Sequence, residues 1–393
     1  MKKVRYGVIG LGNMGKVHCR VIAAAGSRWF CLTAACDVSP QKQELVADLG
    51  IPFFTDSQKM YDSGLVDAVI IACPHYWHPP LTFRAASRGI HVLCEKPLAS
   101  SAGPARAMIA ECAKRKVKLG AMLQLRCRPV MVKARQMIRD GAIGDLFRVE
   151  MICSSWFRSQ KYYDSGEWRG TWDGEGGGVL INQAPHSLDL FQWVGMGLPR
   201  TVVANVATRE HKMECEDTAN VICDYGKGRI GYIYASTAEE PGQDKLTLIG
   251  DKGTMIVEND GISLGLLATP VSRHIYESQR LFPGGGEQKV TWSRVRVSPK
   301  KTGHIDVIRA FARCLLAGEP MIATGAESLV ELEISNAAYI SGYNDSKLVR
   351  LPVDADQMER LLDRLIRAKS TGRGGNMRAA AARDMKKILA GRT

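Results

Sequence analysis

The 393-residue chain lacks several features that would place it in a specialised protein class. No apolar run approaches the roughly 20 residues that a membrane-spanning helix needs, so we expect no membrane span. The 11 cysteines are scattered and include no Cys-x-x-Cys pair. We therefore expect neither disulfides nor a metal site, and a location in the reducing cytoplasm.

Outside its C-terminal end, the chain also lacks a strong excess of basic charge. The net charge is +13, and residues 364–393 contribute +8 of it through nine lysines and arginines against Asp384. The charge distribution therefore does not support a nucleic-acid partner for the main body. We expect the tail, residues 353–393, to be a basic helical segment that covers the protein's own surface or a neighbouring subunit.

A glycine-rich turn follows the first apolar run. Val4–Ile9 is typical of a buried strand and Lys16–Ala25 of a helix, and the residues joining them are Gly10, Leu11, Gly12, Asn13, Met14 and Gly15. In this context, glycines permit a tight turn and let the backbone approach a pyrophosphate at the helix N-terminus. The pattern predicts a dinucleotide site; the alternative is a purely structural turn.

The second apolar run, Cys31–Cys36, ends in Asp37. A carboxylate here can accept hydrogen bonds from an adenosine ribose and repels a 2′-phosphate. The next residues, Val38–Pro40, include no arginine that could bind such a phosphate. This favours NAD over NADP, although Asp37 could also simply cap a helix starting near Pro40.

The order of apolar runs predicts two domains. Up to residue 123, β-branched runs alternate with helical patterns such as Gln41–Leu49, which predicts a doubly wound, mostly parallel α/β Rossmann sheet. Residues 124–352 instead show meander spacing, which predicts an α+β domain with a large open, mostly antiparallel sheet. Its predicted strands are Leu146–Cys153, Thr201–Ala207, Thr218–Tyr225, Arg229–Thr237, Lys245–Ile249 and Thr254–Glu258.

Two segments carry candidate catalytic groups. Glu95-Lys96-Pro97 follows a predicted buried strand, where a desolvated lysine can donate to a substrate oxygen; the alternative is a solvated lysine paired with Glu95. Further on, Gly176–Gly178 lead into a predicted helix with Asn182 and His186 on one face. His186 can take a proton from an alcohol, although a lone helical histidine is more often a packing residue.

The segment between residues 156 and 175 is dense in aromatic and arginine residues. Flat rings beside guanidinium groups suit a polyhydroxylated ring, whereas a loop stabilised by packed aromatics is the alternative. We expect substrate contacts from Tyr163, Trp168, Arg169 and Trp172. After the fourth run, Cys73, Pro74, His75 and His78 are expected beside the cofactor rather than on a metal.

Together these residues resemble the glucose–fructose oxidoreductase/inositol dehydrogenase (Gfo/Idh/MocA) family from about Lys3 to Pro352. The resemblance rests on the glycine turn, Asp37, Pro74 with His78, Glu95-Lys96-Pro97, Gln124 with Arg126 and Pro129, and the glycine-led segment with His186 and Asp189. It implies a Rossmann domain followed by an open sheet whose exposed face forms a dimer or tetramer interface. It also implies that Glu95 and Gln124 line the cofactor site and that Arg126 helps to orient the substrate.

The resemblance implies oxidation or reduction of a secondary hydroxyl of a sugar, glycoside or cyclitol with NAD. The aromatic segment and Asn182-Gln-Ala-Pro-His186 look closest to members that oxidise the C3 hydroxyl to a 3-keto sugar. Many members carry aspartate where this chain has Asn182. Two alternatives follow: NAD-assisted cleavage of a glycoside with transient oxidation, and a non-enzymatic NAD sensor, which the presence of Lys96 and His186 disfavours.

Overall fold

The computed structural model describes residues 3–282 and 287–391. Residues 1–2, 283–286 and 392–393 lie outside the described residues, and so does the basic tail residue Arg392. The predicted domain limits at residues 123 and 352 stay predictions.

The first sheet has six parallel strands in the order β3-β2-β1-β4-β5-β6. They are β1 (Val4–Ile9), β2 (Phe30–Cys36), β3 (Phe53–Phe54), β4 (Ala68–Ile71), β5 (His91–Cys94) and β6 (Leu119–Ala121). The α-helices of this part are α1 (Asn13–Ala24), α2 (Ser57–Asp62), α3 (His78–Ser87) and α4 (Ala102–Lys114). The predicted doubly wound Rossmann sheet is confirmed.

The prediction of a single helix over Gln41–Leu49 is wrong in helix type and in continuity. The segment forms two short 3₁₀-helices, Pro40–Leu45 and Ala47–Leu49, and a third, His75–Trp77, precedes α3. Val46 separates the first two with φ −131° and ψ 5°. These angles lie outside the helical region, so one continuous helix cannot form.

The five main strands of the first sheet end in register. Ile9 pairs with Cys36 on one side and Ile71 on the other, and Cys94 links Ile71 to Ala121. The residues that follow these strands therefore leave the sheet at one edge. In an open parallel sheet, this carboxyl edge is where ligands bind.

The second sheet has nine strands in the order β14-β13-β12-β11-β7-β10-β9-β8-β15. They are β7 (Leu146–Cys153), β8 (Thr201–Ala207), β9 (Thr218–Gly226), β10 (Arg229–Ser236), β11 (Asp244–Gly250), β12 (Gly253–Glu258), β13 (Gly261–Leu267), β14 (Val290–Val295) and β15 (Val349–Arg350). Within this second sheet, β7 and β10 are the only described strands that pair in parallel, which confirms a mostly antiparallel sheet.

Three helices of this part contact the second sheet. A 3₁₀-helix, Gln124–Cys127, is followed by α5 (Pro129–Arg139), α6 (Gln160–Asp164), α7 (Pro185–Val194), α8 (Val271–Glu277), α9 (His304–Ala317) and α10 (Gly325–Gly342). Helix α10 contacts β8 of the second sheet and α4 beside the first. It therefore joins the two parts around a common buried cluster.

Strands β13 and β14 of the second sheet were missed from sequence. Strand β13 has glycine at both 261 and 265, which weakens its strand pattern. A Cβ placed on Gly265 would lie 2.9 Å from the ring of Trp292 on β14, so the glycine makes room for a cross-strand aromatic. Only the pairing of β13 with β14 reveals this fit.

Helix α9 packs on the first sheet although its sequence position follows the second. The hydroxyl of Tyr6 on β1 donates to the carbonyl oxygen of Ile308 at 3.0 Å. Val307, Ile308 and Phe311 share a buried cluster with Tyr6 and Val8. The chain thus returns to its first domain before it completes the second.

The tail also lies on its own chain. It forms α11 (Ala355–Lys369) and α12 (Met377–Leu389), with Met358 and Leu362 fully buried. Helix α12 contacts α3, and Asp384 pairs with Arg84 at 2.5 Å. The described part of the tail therefore covers the protein's own surface, and its contact with a neighbouring subunit stays a prediction. None of the described helices is both long and apolar enough to span a bilayer.

Candidate functional site

The glycine turn forms an open cradle at the start of α1. Gly10 has φ +88°, and a Cβ on Gly15 would lie 1.7 Å from the carbonyl oxygen of Gly10, so both positions require glycine. Gly12 is the N-cap residue of α1 and has no side chain to cap the helix, and a Cβ there would meet no atom of the described residues within 4 Å. The free N–H groups and open space fit a dinucleotide pyrophosphate. Asn13 is exposed, Met14 is half-buried and Leu11 is buried in this turn.

Asp37 connects the end of β2 to the glycine turn. Its Oδ2 accepts the N–H of Leu11 at 2.7 Å and the amine of Lys42 at 3.0 Å, and its Oδ1 accepts the N–H of Ser39 at 3.0 Å. A carboxylate has about four acceptor positions, so one remains for a ribose hydroxyl. The residues present therefore fit an NAD adenosine. Sequence reading found no arginine after Asp37 but overlooked Lys42.

The two histidines after β4 hold neighbouring segments together. His75 Nδ1 donates to the carbonyl oxygen of Glu175 at 2.9 Å. His78 lies between the carbonyl oxygens of Cys73 and Pro97, 2.9 Å from each. Burial lowers the pKa of both imidazoles. Among the described residues, no group of three His, Cys, Asp or Glu side chains could hold a metal ion.

Glu95 points into the first domain. Its Oε1 accepts a hydrogen bond from Nε2 of His18 at 2.6 Å, and Glu95 is 8% exposed. Burial acts to raise the pKa of Glu95, but the bond to His18 and the charges of His18 and Lys96 outweigh it and lower the pKa to about 2. The carboxylate thus anchors the end of β5 on α1. Its contact with a cofactor remains an expectation that the side-chain geometry does not favour.

Lys96 bridges the two domains. Its Nζ donates to the backbone oxygen of Asn182 at 2.5 Å. Burial lowers the pKa of Lys96, while the carboxylates of Glu95 and Glu175 oppose this. The amine therefore stands at the carboxyl edge of the first sheet and reaches the glycine-led segment, and it is not the solvated lysine paired with Glu95.

The glycine-led segment is a turn and not the predicted start of a helix. Helix α7 begins at Pro185, so Asn182 precedes it and does not share a helix face with His186. The turn is held by the buried carboxylate of Glu216, which accepts the N–H groups of Gly178 at 3.1 Å and Leu180 at 3.0 Å. At the end of the turn, the N–H of Ala184 donates five residues back to Val179 at 2.8 Å and Pro185 has no N–H to donate, so the regular helix begins only at Pro185.

His186 stands next to Gln124 at the same edge. The two Nε2 atoms are 3.2 Å apart. His186 Nδ1 and Gln124 Oε1 are buried and have no hydrogen-bond partner within the described residues. Burial and the charge of Lys96 lower the pKa of His186 to about 3, so the imidazole is neutral near pH 7. Unpaired buried polar atoms are rare, and they mark a position that a ligand or water would complete.

Part of the aromatic segment stands at the site. The Arg169 guanidinium lies 4.5 Å over the Trp168 ring and 4.4 Å over the Tyr162 ring, and its Nη1 donates to the Tyr162 hydroxyl at 2.6 Å. Trp168 lies 6.1 Å from the ring of His75 at the cofactor edge. Arg169 and Trp168 are half-buried, so they can present a flat, polar-edged surface.

Three residues expected to contact substrate are instead buried structural groups. Tyr163 is 1% exposed and bonds Thr237, and Trp172 is 0% exposed and donates to the carbonyl oxygen of Glu214. Arg126 is 2% exposed and makes two bonds to Asp189, at 2.8 and 2.6 Å. These side chains have no free surface for a sugar, because long-range partners occupy them.

Two polar residues at the site were not assigned a role from sequence. Tyr162 accepts hydrogen bonds from Asn182 and Arg169, and Glu175 accepts one from Asn182. Both lie in the aromatic segment, so its density in polar aromatics was the available signal. Sequence position alone could not separate Tyr162, at the site, from Tyr163, in the core.

Comparison with known families matches both parts of the chain. The model described as "Oxidoreductase family, NAD-binding Rossmann fold" matches residues 4–122, and the model of the GFO/IDH/MocA C-terminal domain matches residues 131–256. Together they cover more than half of the chain. The chain belongs to the Gfo/Idh/MocA family. It is therefore an NAD-dependent oxidoreductase of this family, and its first domain binds NAD.

Individual relatives in the family differ in what they act on. The inositol 2-dehydrogenase of Rhizobium meliloti is 26% identical over 85% of this chain and 96% of its own length. The 2,7-anhydro-N-acetylneuraminate hydratase of Mediterraneibacter gnavus is 26% identical over 66% of this chain and 68% of its own length. The WlbA dehydrogenase of Bordetella pertussis, solved with NADH and UDP-GlcNAcA, aligns with a TM-score of 0.75 and 28% identity, covering 90% of this chain and 100% of that one.

Proposed function

We propose that this family member oxidises a secondary hydroxyl, the C3 hydroxyl, of a sugar or glycoside with NAD. The observation that carries the proposal is the bridge from Lys96 Nζ to Asn182, which brings a desolvated amine from the cofactor edge to the aromatic segment. The half-buried Trp168 and Arg169 beside it form a surface suited to a pyranose ring. The WlbA dehydrogenase, solved with NADH and a UDP-linked sugar, supports this substrate class.

The residues that would hold NAD surround the carboxyl edge of the first sheet. The glycine turn, Gly10–Gly15, would take the pyrophosphate, and Asp37 would take the adenosine ribose. The remaining contacts are proposed from the backbone of Cys73, Pro74, His75 and His78 and from the side chain of Gln124. NAD supplies the hydride acceptor for the oxidation.

In the proposed mechanism, the chain's own groups manage the substrate oxygen and its proton. Lys96 would donate a hydrogen bond to the hydroxyl oxygen and stabilise it as negative charge develops. His186 is neutral, so its imidazole would accept the hydroxyl proton. Asn182 would orient the hydroxyl, while Trp168 and Arg169 flank the ring.

The proposal is tested by NADH formation from NAD across free hexoses, cyclitols and O- and C-linked glycosides. Reduction of the product with borodeuteride followed by mass spectrometry locates the new carbonyl carbon. Lys96→Ala should bind NAD with unchanged affinity, measured by calorimetry, and lose most turnover. Normal turnover in this variant, or a carbonyl at another carbon, would contradict the mechanism or the C3 assignment respectively.

The second candidate function is NAD-assisted cleavage of a glycoside, with transient oxidation and regeneration of the cofactor. It is favoured by the neutral Asn182 where many members have aspartate, and by a relative named as a hydratase. Stoichiometric NADH release on adding substrate would support the dehydrogenase. Formation of cleaved product without net NADH would support the cycle.

We also propose that the chain self-associates through the outer face of its second sheet. Ile222 on β9 and Trp292 on β14 are 48% and 56% exposed, and Ile230 on β10 is 44% exposed. Large apolar residues on one open sheet favour an interface with a second copy. Sedimentation of the wild type should show a dimer or tetramer, and Ile222→Asp should shift it toward monomer. A monomeric wild type would refute the interface.

A further inference from the structure

A buried carboxylate stands beside the proposed substrate site. Glu175 is 1% exposed and directly precedes Gly176–Gly178. Its Oε2 accepts the backbone N–H of Gly170 at 2.7 Å, and its Oε1 accepts a hydrogen bond from Nδ2 of Asn182. Both carboxylate oxygens are therefore used as acceptors, an arrangement that the ionised form satisfies best.

The side-chain amide of Asn182 is hydrogen-bonded through its nitrogen. Its Nδ2 donates to Glu175 and also to the Tyr162 hydroxyl at 3.2 Å. Its Oδ1 accepts no hydrogen bond from the described residues, so this atom is the end left for a further donor. The backbone oxygen of the same residue accepts the Lys96 amine. Asn182 thus links Lys96, the proposed hydrogen-bond donor to the substrate oxygen, to Glu175.

The charges around Glu175 set the pH range in which it is ionised. Burial raises its pKa to about 7, while the Gly170 N–H, the positive charges of Arg169 and Lys96, and the Asn182 amide oppose this rise. The Tyr162 phenol nearby has a pKa raised by burial and stays neutral. Glu175 consequently changes charge near neutral pH, whereas His186 does not.

We infer that Glu175 is a positioning residue that fixes the amide of Asn182 with its oxygen free to accept the hydrogen of a substrate hydroxyl. When Glu175 is protonated, its carboxyl group carries a hydrogen-bond donor where the N–H of Gly170 and the Asn182 amide both need an acceptor. The Asn182 amide then loses its acceptor and its orientation. This inference rests on the proposed oxidation of a sugar hydroxyl. It assigns to Glu175, acting through Asn182, the negative charge that many family members place at position 182 itself.

The direction of the pH effect follows from the ionised form being the active one. The kcat/KM for the sugar should fall as the pH is lowered through 7, because Glu175 then takes up a proton. In Glu175→Gln, the new side-chain amide presents one acceptor and one donor to the two groups that donate to Glu175, the N–H of Gly170 and the Asn182 amide. Loss of a hydrogen bond to a charged group predicts a fall of about 10-fold to 100-fold in kcat/KM, with the acid limb removed and NAD affinity unchanged.

The matched control is Glu167→Gln, an exposed carboxylate of the same segment, which should leave both kcat/KM and its pH profile as in the wild type. Glu175→Asp retains the charge and should recover part of the activity and the acid limb. Because Glu175→Gln could disturb folding, Asn182→Ala provides a second test. It keeps the carboxylate but should lose the acid limb, since the limb acts through the amide.

The outcomes separate this inference from the function on which it rests. If the wild type oxidises no sugar or glycoside, the proposed function fails. If the wild type is active but Glu175→Gln keeps its kcat/KM and acid limb, the inference about Glu175 alone is overturned. An acid limb that persists in Asn182→Ala would also overturn it, because Glu175 would then act by another route.

Discussion

The pair formed by Arg126 and Asp189 gives a direct test of a residue whose role differs from the one expected. Arg126 Nε and Nη2 donate to the two Asp189 oxygens at 2.8 and 2.6 Å, and both residues are at most 2% exposed. Arg126→Leu would leave Asp189 buried with Gln192 as its remaining donor, at 3.0 Å. Breaking a buried pair by removing one partner costs about 3–5 kcal/mol.

Urea unfolding followed by tryptophan fluorescence measures this loss in free energy. The double variant Arg126→Leu/Asp189→Leu should recover most of it, because the Asp189 carboxylate is then no longer buried without its arginine. Arg128→Leu is the matched control two positions further on. Its pair with Asp260 is at the surface, with side chains 32% and 76% exposed, and should be worth about 0–1 kcal/mol.

The result that would refute this reasoning is equally specific. If Arg126→Leu unfolded at the wild-type urea concentration but raised the KM for the sugar, Arg126 would be a substrate residue after all. If the double variant were as unstable as the single one, the loss would come from packing around the arginine and not from the stranded carboxylate.

Two further predictions concern the cofactor and the tail. Asp37→Ser removes the carboxylate that would repel a 2′-phosphate and frees Lys42, so the ratio of kcat/KM for NAD to that for NADP should fall by at least about 10-fold; an unchanged ratio would show that Asp37 does not select the cofactor. Truncation after Ser370 removes the bonds from Thr371 to Glu214 and from Arg373 to the Tyr163 carbonyl oxygen, at 2.6–2.9 Å. It should raise the sugar KM by roughly 3-fold to 30-fold with little change in NAD affinity, whereas equal losses for both ligands would indicate general unfolding.

Sequence reading located the cofactor half of the molecule well. The strand, glycine turn and helix from Val4 to Ala24 are local: neighbouring residues supply both the strand pattern and the turn. The second domain was harder, because the strand Gly261–Leu267 is stabilised by its fit to Trp292 on the next strand. Such cross-strand fits leave little trace in the local pattern.

The candidate site shows the same division. The position of Lys96 could be predicted because it follows a buried strand, and the carboxyl ends of strands in a parallel sheet lie at one edge. Asn182 and His186 stay predicted site residues, but their placement on one helix face was wrong because helix α7 begins only at Pro185. The proposed role of Glu175 depends on its contact with Asn182, which lies in the turn before this helix.

The sequence by itself determined the strand, turn and helix that open the chain, the cofactor cradle and the types of residue at the carboxyl edge, because these depend on neighbours a few positions apart. Only the tertiary structure decided which polar side chains are free and which are already paired. Arg126 and Asp189 are 63 positions apart, and Lys96 and Asn182 are 86 apart. Hydrogen bonds across such separations form only when the packed domains bring the groups together, and they decide whether a residue supports the fold or meets a substrate.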